Sequence, residues 1–384
     1  MVARRARAES VTGRLAVAAV LLAALVALFA YKIAAKMPDF EVYWRAGSRA
    51  AIAEPLYREE DEHFQLKYLP AFAVLAIPLA MLPLPIAKAA WFGITAGLIP
   101  VLLVLSVALL PARRRPPWLL ALLTLVLMAK FYGHELVLGQ VNVLFAVSVI
   151  AAVLLVANER QGPAGGLFAL AVIIKPYAVL FLPWLAAQGA IRTLATATAG
   201  ILLALVLPAP LYGWQATIAL HRDWWRTVTT STAPNLLNAD NVSLAAMYAK
   251  WIGSGAVSTA LAAGTAAGLL ALATVISLRR RGVLRPEGLE AALLLTLIPL
   301  LSPQGWDYVF LIATPAVTLV VNYDRDLPPV LRGAAWLALV IVAFTLYDVV
   351  GKRAYGIFMA ASVVSVCYLV VIGALSALRA RRLA

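Results

Sequence analysis

The 384-residue sequence predicts an all-α, polytopic integral membrane protein, and three observations carry that prediction. Hydrophobic residues make up 63% of the chain and charged residues only 13%, about half the charge of an average soluble domain. Apolar runs of roughly 17 to 25 residues recur from end to end, each long enough to cross about 30 Å of hydrocarbon as a helix. None of the runs alternates as a membrane-barrel strand would.

Taken in order, the first run (15–35) follows Arg4, Arg5, Arg7 and Arg14. It is longer than the apolar part of a secretory signal and lacks a small-residue cleavage site, so it reads as an uncleaved anchor. The stretch 70–85, "PAFAVLAIPLAMLPLP", is too short and proline-rich for a span and reads as an interfacial or re-entrant helix. Spans follow at 86–110, 117–132, 138–157, 164–174, 176–190, 194–211, 254–278, 288–301, 308–321, 329–347 and 356–378. The expected total is about twelve, with a range of 10–13. No linker or repeat divides the chain. One membrane domain is expected, with a first module over about 13–211, a loop over 212–253 and C-terminal helices over 254–384. Cys367 is alone and offers neither a disulfide nor a metal site.

Basic residues flanking spans tend to stay in the cytoplasm. With the amino terminus inside, Arg113–Arg115, Arg279–Arg281, Arg285, Arg325, Arg332 and Arg379–Arg382 fall on one face together with Glu287, Glu290, Asp324 and Asp326. Twelve of the 18 acids, among them Asp39, Glu41, Asp240 and Asp307, fall on the other. The polar chemistry is therefore expected outside a cytoplasmic (inner) membrane, in two loops, 36–85 and 212–253.

The stretch "KMPDFEVYWRAG" (36–47) opens the first of these loops. Pro38 disfavours helix at Met37, and Phe40, Tyr43, Trp44, Gly47 and Ala51 then recur at helical spacing. An amphipathic surface helix follows from this, with Asp39 as its N-cap. The capping role is compatible with a chemical one, since one carboxylate oxygen can cap while the other faces a ligand.

The fragments "MPDFEVYWRAG…PLY", "FQLKYLPAFAVLAIPLAMLP", "LGQVNVLF", "IIKPYAVLFLPWL", "NVSLAAMY" and "LLSPQGWDY" stand in the order and spacing found in GT-C glycosyltransferases. Over about residues 13–320 the chain resembles the polyprenol-phosphate-mannose-dependent mannosyltransferases, glycosyltransferase family 87. The resemblance implies a GT-C fold and an inverting transfer of a hexose, mannose first, from a polyprenyl-phosphate donor to a glycolipid or glycan acceptor outside the membrane. The implied partners are that donor, that acceptor and membrane lipids. No cofactor, metal or nucleic acid is expected.

In enzymes this chain resembles, an Asp just past the first span is the catalytic base, and Asp39 is the residue that matches. Lys175 lies between apolar runs, where a lysine is a functional-site candidate by default, and is expected to bind the donor phosphate; snorkelling is its plainer reading. His221, Arg222 and Arg226 in "LHRDWWRT" are further anion-binding candidates that also fit an ordinary interface. Gln140 and Asn142 match a cavity-lining loop or a helix cap, and Asn241 matches a family position that also spells a glycosylation acceptor or a helix start. Asp307 with Trp306 ends the last matching motif. Where related sequences often carry histidines after that Asp, Tyr308 and Val309 stand here. Tyr43, Trp44, Trp224, Trp225 and Trp306 are candidates for stacking on sugar rings, or members of the usual aromatic belt. "DRD" at 324–326 mimics a metal-binding DxD but falls in a short inner turn. Two rival functions are a lipid or sugar transporter and a noncatalytic subunit of a cell-envelope complex.

Overall fold

The computed structural model describes residues 23–383. Among them the secondary structure is helical apart from one isolated antiparallel bridge between Asn241 and Trp306. The amino-terminal arginines and the first part of the anchor lie outside the described residues. The rest of the anchor is α1 (Ala23–Ile33), which ends in a π turn. Then come α2 (Pro38–Ala51) and α3 (Pro70–Ala80), packed so closely that a Cβ on Gly47 would stand 2.7 Å from the Ala76 carbonyl oxygen.

The long helices α4 (Leu84–Ala108) and α5 (Pro117–Leu138) precede a tight pair, α6 (Asn142–Ala157) and α7 (Gln161–Ile174). A 3₁₀ turn (Pro176–Leu180) leads into α8 (Phe181–Ala187), followed by α9 (Ile191–Val206) and α10 (Ala209–Tyr212). The second loop folds into α11 (Trp214–Thr230) and α12 (Leu244–Ile252). The C-terminal part holds α13 (Ala256–Leu278), α14 (Glu287–Leu301), a 3₁₀ segment (Asp307–Ala313) running into α15 (Thr314–Asn322), α16 (Pro329–Phe344), α17 (Tyr347–Ala360) and α18 (Val363–Ala380). Proline stands in the first turn of α2, α3, α4, α5, α15 and α16, where its missing N–H has no intrahelical partner to lose.

The core centres on α14 and α15, whose side chains are almost all buried, with α5, α6 and α18 packed around them. Only 17% of the apolar window of α9–α10 and 11% of that of α13 is buried, as expected for helices that face lipid. Five described helices are long and apolar enough to span a membrane, or six if α16 and α17, bent by 109°, form one span. The runs expected at 164–174, 176–190 and 308–321, short already in the sequence, are apolar helices of 10–17 residues. They are short because the chain breaks inside the apolar stretch, at Lys175–Pro176 and at the 3₁₀ segment after Trp306. Short helices whose ends are buried in protein need not match the hydrocarbon thickness.

Ion pairs sort into two ends. Arg115–Asp324 (2.7 Å), Arg114–Asp326 (3.5 Å), Arg280–Glu290 (2.6 Å) and Arg379–Glu290 (3.0 Å) tie together the ends of α4, α14, α15 and α18. Lys88–Glu41 (2.7 Å) and Lys130–Asp307 (2.9 Å) lie toward the other end, with the ion pairs of the first loop. Every ion pair among the described residues joins groups that the charge pattern assigns to the same face.

Candidate active site

Asp39 owes its position to two backbone features on either side of it. Met37 precedes Pro38 and takes the left-handed conformation (φ 67°), and its N–H donates to the Val137 carbonyl at the end of α5. Gly139 (φ 70°) terminates α5, and a Cβ there would stand 2.7 Å from the Cβ of Phe40. The start of α2 is thereby pressed against the α5–α6 turn, and Gln140 meets Asp39. This corrects the expected cap. Met37 occupies the N-cap position, where its thioether makes no capping hydrogen bond; Pro38 is the first helical residue and Asp39 the second. Its carboxylate is left to accept from Gln140 Nε2 at 2.6 Å.

Asp39 lines a cavity of about 320 Å³ bounded by six separate parts of the chain. The wall takes Tyr43 from α2, His63, Lys67 and Tyr68 from the first loop, Gln140, Lys175 with Tyr177, Trp224 and Trp225 from α11, and Gln304, Trp306 and Tyr308 from the segment before α15. Asp39 is the one carboxylate in this lining, and Lys67 and Lys175 are its cations beside His63. Lys175 stands in an extended link between α7 and the 3₁₀ turn, because Pro176 cannot continue the helix. Tyr43 donates to Gln140 Oε1 (3.3 Å) and shares a 2.8 Å hydrogen bond with Tyr68, so the amide that meets Asp39 is itself oriented.

Burial raises the Asp39 carboxyl above its ordinary 3.8, outweighing the Gln140 hydrogen bond and the positive field of Lys175, His63 and Lys67. Burial lowers the Lys67 ammonium below its usual value, with the Asp39 charge opposing. A carboxylate made more basic, next to two cations and several aromatic faces, can take a proton from a hydroxyl while an anion is neutralised nearby.

The remaining candidates divide. Tyr43, Gln140, Lys175, Trp224, Trp225 and Trp306 reach the cavity. Trp44 turns away and donates to the Leu82 carbonyl (2.9 Å), and the buried Asn142 donates to Glu135 (2.9 Å), which also caps the start of α6 through Val143 N–H. Neither Arg222 nor Arg226, one turn apart on α11, lines the cavity; Arg226 pairs with Asp223 (3.4 Å). His221 Nε2 lies 2.9 Å from the Leu205 carbonyl. Asn241 is only 1% exposed and donates to the carbonyls of Asn235 and Pro303, while Ser243 caps α12 by accepting from Ala246 N–H (3.1 Å).

Asp307 is behind the wall rather than in it. Its carboxylate meets Lys130, its backbone N–H donates to the Asp240 carbonyl (3.0 Å), and its neighbours Trp306 and Tyr308 face the cavity with rings 10° from parallel. Gln304 links the same segment to the end of α11 through Ser231 (2.9 Å) and Thr232 (3.1 Å). The "DRD" turn is taken up by Arg115 and Trp336, both on Asp324.

Sequence reasoning missed His63, Lys67, Tyr68, Tyr177 and Gln304. Lys67 carried a legible signal, a lone cation within "LKYLPAFAV"; the others are ordinary loop residues until the chain folds. Lys130 carried the same signal within α5.

Fold and cavity together define the class of polytopic helical membrane proteins with a polar and aromatic cavity toward one end. The family model of glycosyltransferase family 87 matches residues 66–303, well over half of the chain. The chain belongs to this glycosyltransferase family. Among curated proteins none matches it.

Proposed function

We propose that this glycosyltransferase moves a hexose, mannose first, from a polyprenyl-phosphate donor to a glycolipid or glycan acceptor on the extracytoplasmic side of the cytoplasmic membrane. One observation carries the reading: Asp39 is the one carboxylate of a cavity that also holds Lys67 and Lys175. The side of the reaction rests on the distribution of Lys and Arg at the span ends. The choice of mannose rests on the resemblance of the motifs.

Asp39 takes the proton of the acceptor hydroxyl as its oxygen attacks the anomeric carbon. The bond from that carbon to the phosphate oxygen breaks, the electron pair stays on the polyprenyl phosphate, and configuration inverts in one displacement. Lys175 and Lys67 neutralise the leaving phosphate, which gains charge as the bond breaks. Tyr43, Trp224, Trp225 and Trp306 offer ring faces to the sugars. The proton on Asp39 then passes to water or to the released phosphate.

The test is transfer from radiolabelled polyprenyl-phosphate sugars to host lipid extract by the purified protein. Asp39→Asn keeps the size and the amide contact but cannot take a proton, and is expected to lower turnover about a thousandfold, within the usual range for a general base. Lys175→Met is expected to raise the KM for donor and lower kcat. Full turnover by Asp39→Asn would overturn the base assignment. Lipid or sugar flux in acceptor-free liposomes, with no transfer from any donor, would favour transport instead.

A further inference from the structure

A second cavity, of about 490 Å³, opens at the arginine-rich end of the molecule, between the last turns of α4 and the first turns of α5. It is separate from the candidate active site: the two share no lining residue, and along α4 the nineteen residue steps from Lys88, which pairs with Glu41 of α2, to Val107 span roughly 28 Å. Its walls are hydrocarbon, with Val104, Val107 and Ala121 among them, and Val104 is 66% exposed. Two cations, Arg113 and Arg285, stand on its rim.

Neither arginine has an ion-pair partner among the described residues; Glu159, in the turn between α6 and α7 on the same face, pairs with neither, and four further described carboxylates lie at that end. Glu287 and Glu290 are taken by Arg280, Asp324 by Arg115 and Asp326 by Arg114. Arg285 is also held in the left-handed conformation (φ 48°) directly before Pro286, a turn that bulky residues adopt reluctantly. Trp118, 67% exposed in the first turn of α5, marks the depth of a headgroup region.

We infer that this cavity is a binding site for an anionic phospholipid, with Arg113 and Arg285 on the phosphate and an acyl chain along Val104, Val107 and Ala121. The chemistry is complementary on both counts: two cations lacking a protein anion meet a phosphate, and an open apolar wall continuous with the lipid-facing surface of α4 meets a chain. A soluble phosphate would satisfy the arginines but leave the wall bare. The inference does not rest on the transfer reaction.

Native mass spectrometry of the full-length protein in detergent tests it, with phosphatidylglycerol and phosphatidylcholine offered in equal amounts. Wild-type protein is expected to retain phosphatidylglycerol at least tenfold better than phosphatidylcholine. The double variant Arg113→Gln/Arg285→Gln is expected to lose that preference, while Arg332→Gln, an exposed arginine outside the cavity, keeps it. Val104→Trp, which fills the wall without touching charge, is expected to weaken retention as well. Equal retention of both lipids by wild type, or an Arg332→Gln loss as large as that of the double variant, would overturn the site. Release of the lipid by millimolar glycerol phosphate would replace a lipid site with a phosphate site.

Discussion

Two carboxylates at opposite ends of this molecule, Glu290 and Asp39, are treated in opposite ways, whereas Glu41, Asp61 and Asp307, toward the same end as Asp39, are ion-paired as Glu290 is. At the arginine-rich end Glu290 accepts from Arg280, Arg379, Trp184 and Gln188, and Arg280 meets Glu287 as well. At the cavity end Asp39 meets only the neutral amide of Gln140. The first arrangement holds helices together and leaves the acid enclosed by donors. The second leaves a carboxylate partly desolvated, hydrogen-bonded once, and open to whatever enters the cavity. The contrast separates acids that bind the fold from one suited to chemistry, although both kinds look alike in the sequence.

The contrast predicts that breaking each end damages a different property. Asp39→Asn has the largest expected effect, about a thousandfold on turnover, which corresponds to roughly 4 kcal/mol of barrier, with thermal unfolding in detergent unchanged. Glu290→Leu should do the reverse. It strands Arg379 in the interior, where losing one partner of a buried pair costs about 3–5 kcal/mol, so the melting temperature should fall by many degrees while turnover per folded molecule survives. A turnover loss in Glu290→Leu equal to that in Asp39→Asn would erase the distinction.

Lys130→Met tests the boundary between the two behaviours, since the pair Lys130–Asp307 is buried but stands directly behind Trp306 and Tyr308. We expect a loss of about 3 kcal/mol in stability together with a several-fold rise in KM as the wall loosens, and a smaller change in kcat. Restoration of KM by the double variant Lys130→Met/Asp307→Leu would identify the uncompensated charge as the cause.

A finer effect concerns pH. The proposed base works only as a carboxylate, and burial raises its pKa above 3.8. Turnover should therefore be lost as pH falls through a value above the ordinary Asp range. Gln140→Leu removes the hydrogen bond that pulls that pKa down, so its acidic limb should move to still higher pH. A shift toward lower pH would contradict the assignment. Smallest of all, Arg114→Gln removes a 3.5 Å pair whose arginine is 52% exposed. Solvent screening leaves such a pair about 0–1 kcal/mol, so neither melting temperature nor turnover should move measurably.

How much of this was legible in the sequence varies residue by residue. Lys175 was legible because a cation between apolar runs is costly wherever it ends up, and Pro176 announced the break that exposes it to the cavity. Asp39 was legible as an acid at the end of a span, yet its cap role was misjudged by two helical positions. Met37 takes a left-handed conformation that lets Pro38 start the helix, and no local pattern signals this. Trp44 and Asn142 stood in matching motifs and still turned elsewhere, because rotation about a helix axis is set by what packs on it.

What the sequence determined by itself was the helical membrane class, the separation of charges into two faces, and the acid and lysine most worth testing. The class, the charge separation and the choice of Lys175 follow from the transfer energy of local stretches, which is additive along the chain and needs no neighbours, while the choice of Asp39 came from the resemblance of the motifs. The tertiary structure alone decided that residues as far apart as His63, Lys67, Tyr177 and Gln304 share one cavity with Asp39. It also decided that Asp307 backs the wall on Lys130 instead of lining it. Those outcomes depend on the rotation and close approach of helices, fixed by contacts such as Gly139 against Phe40 and Gly47 against Ala76 that join distant parts of the chain.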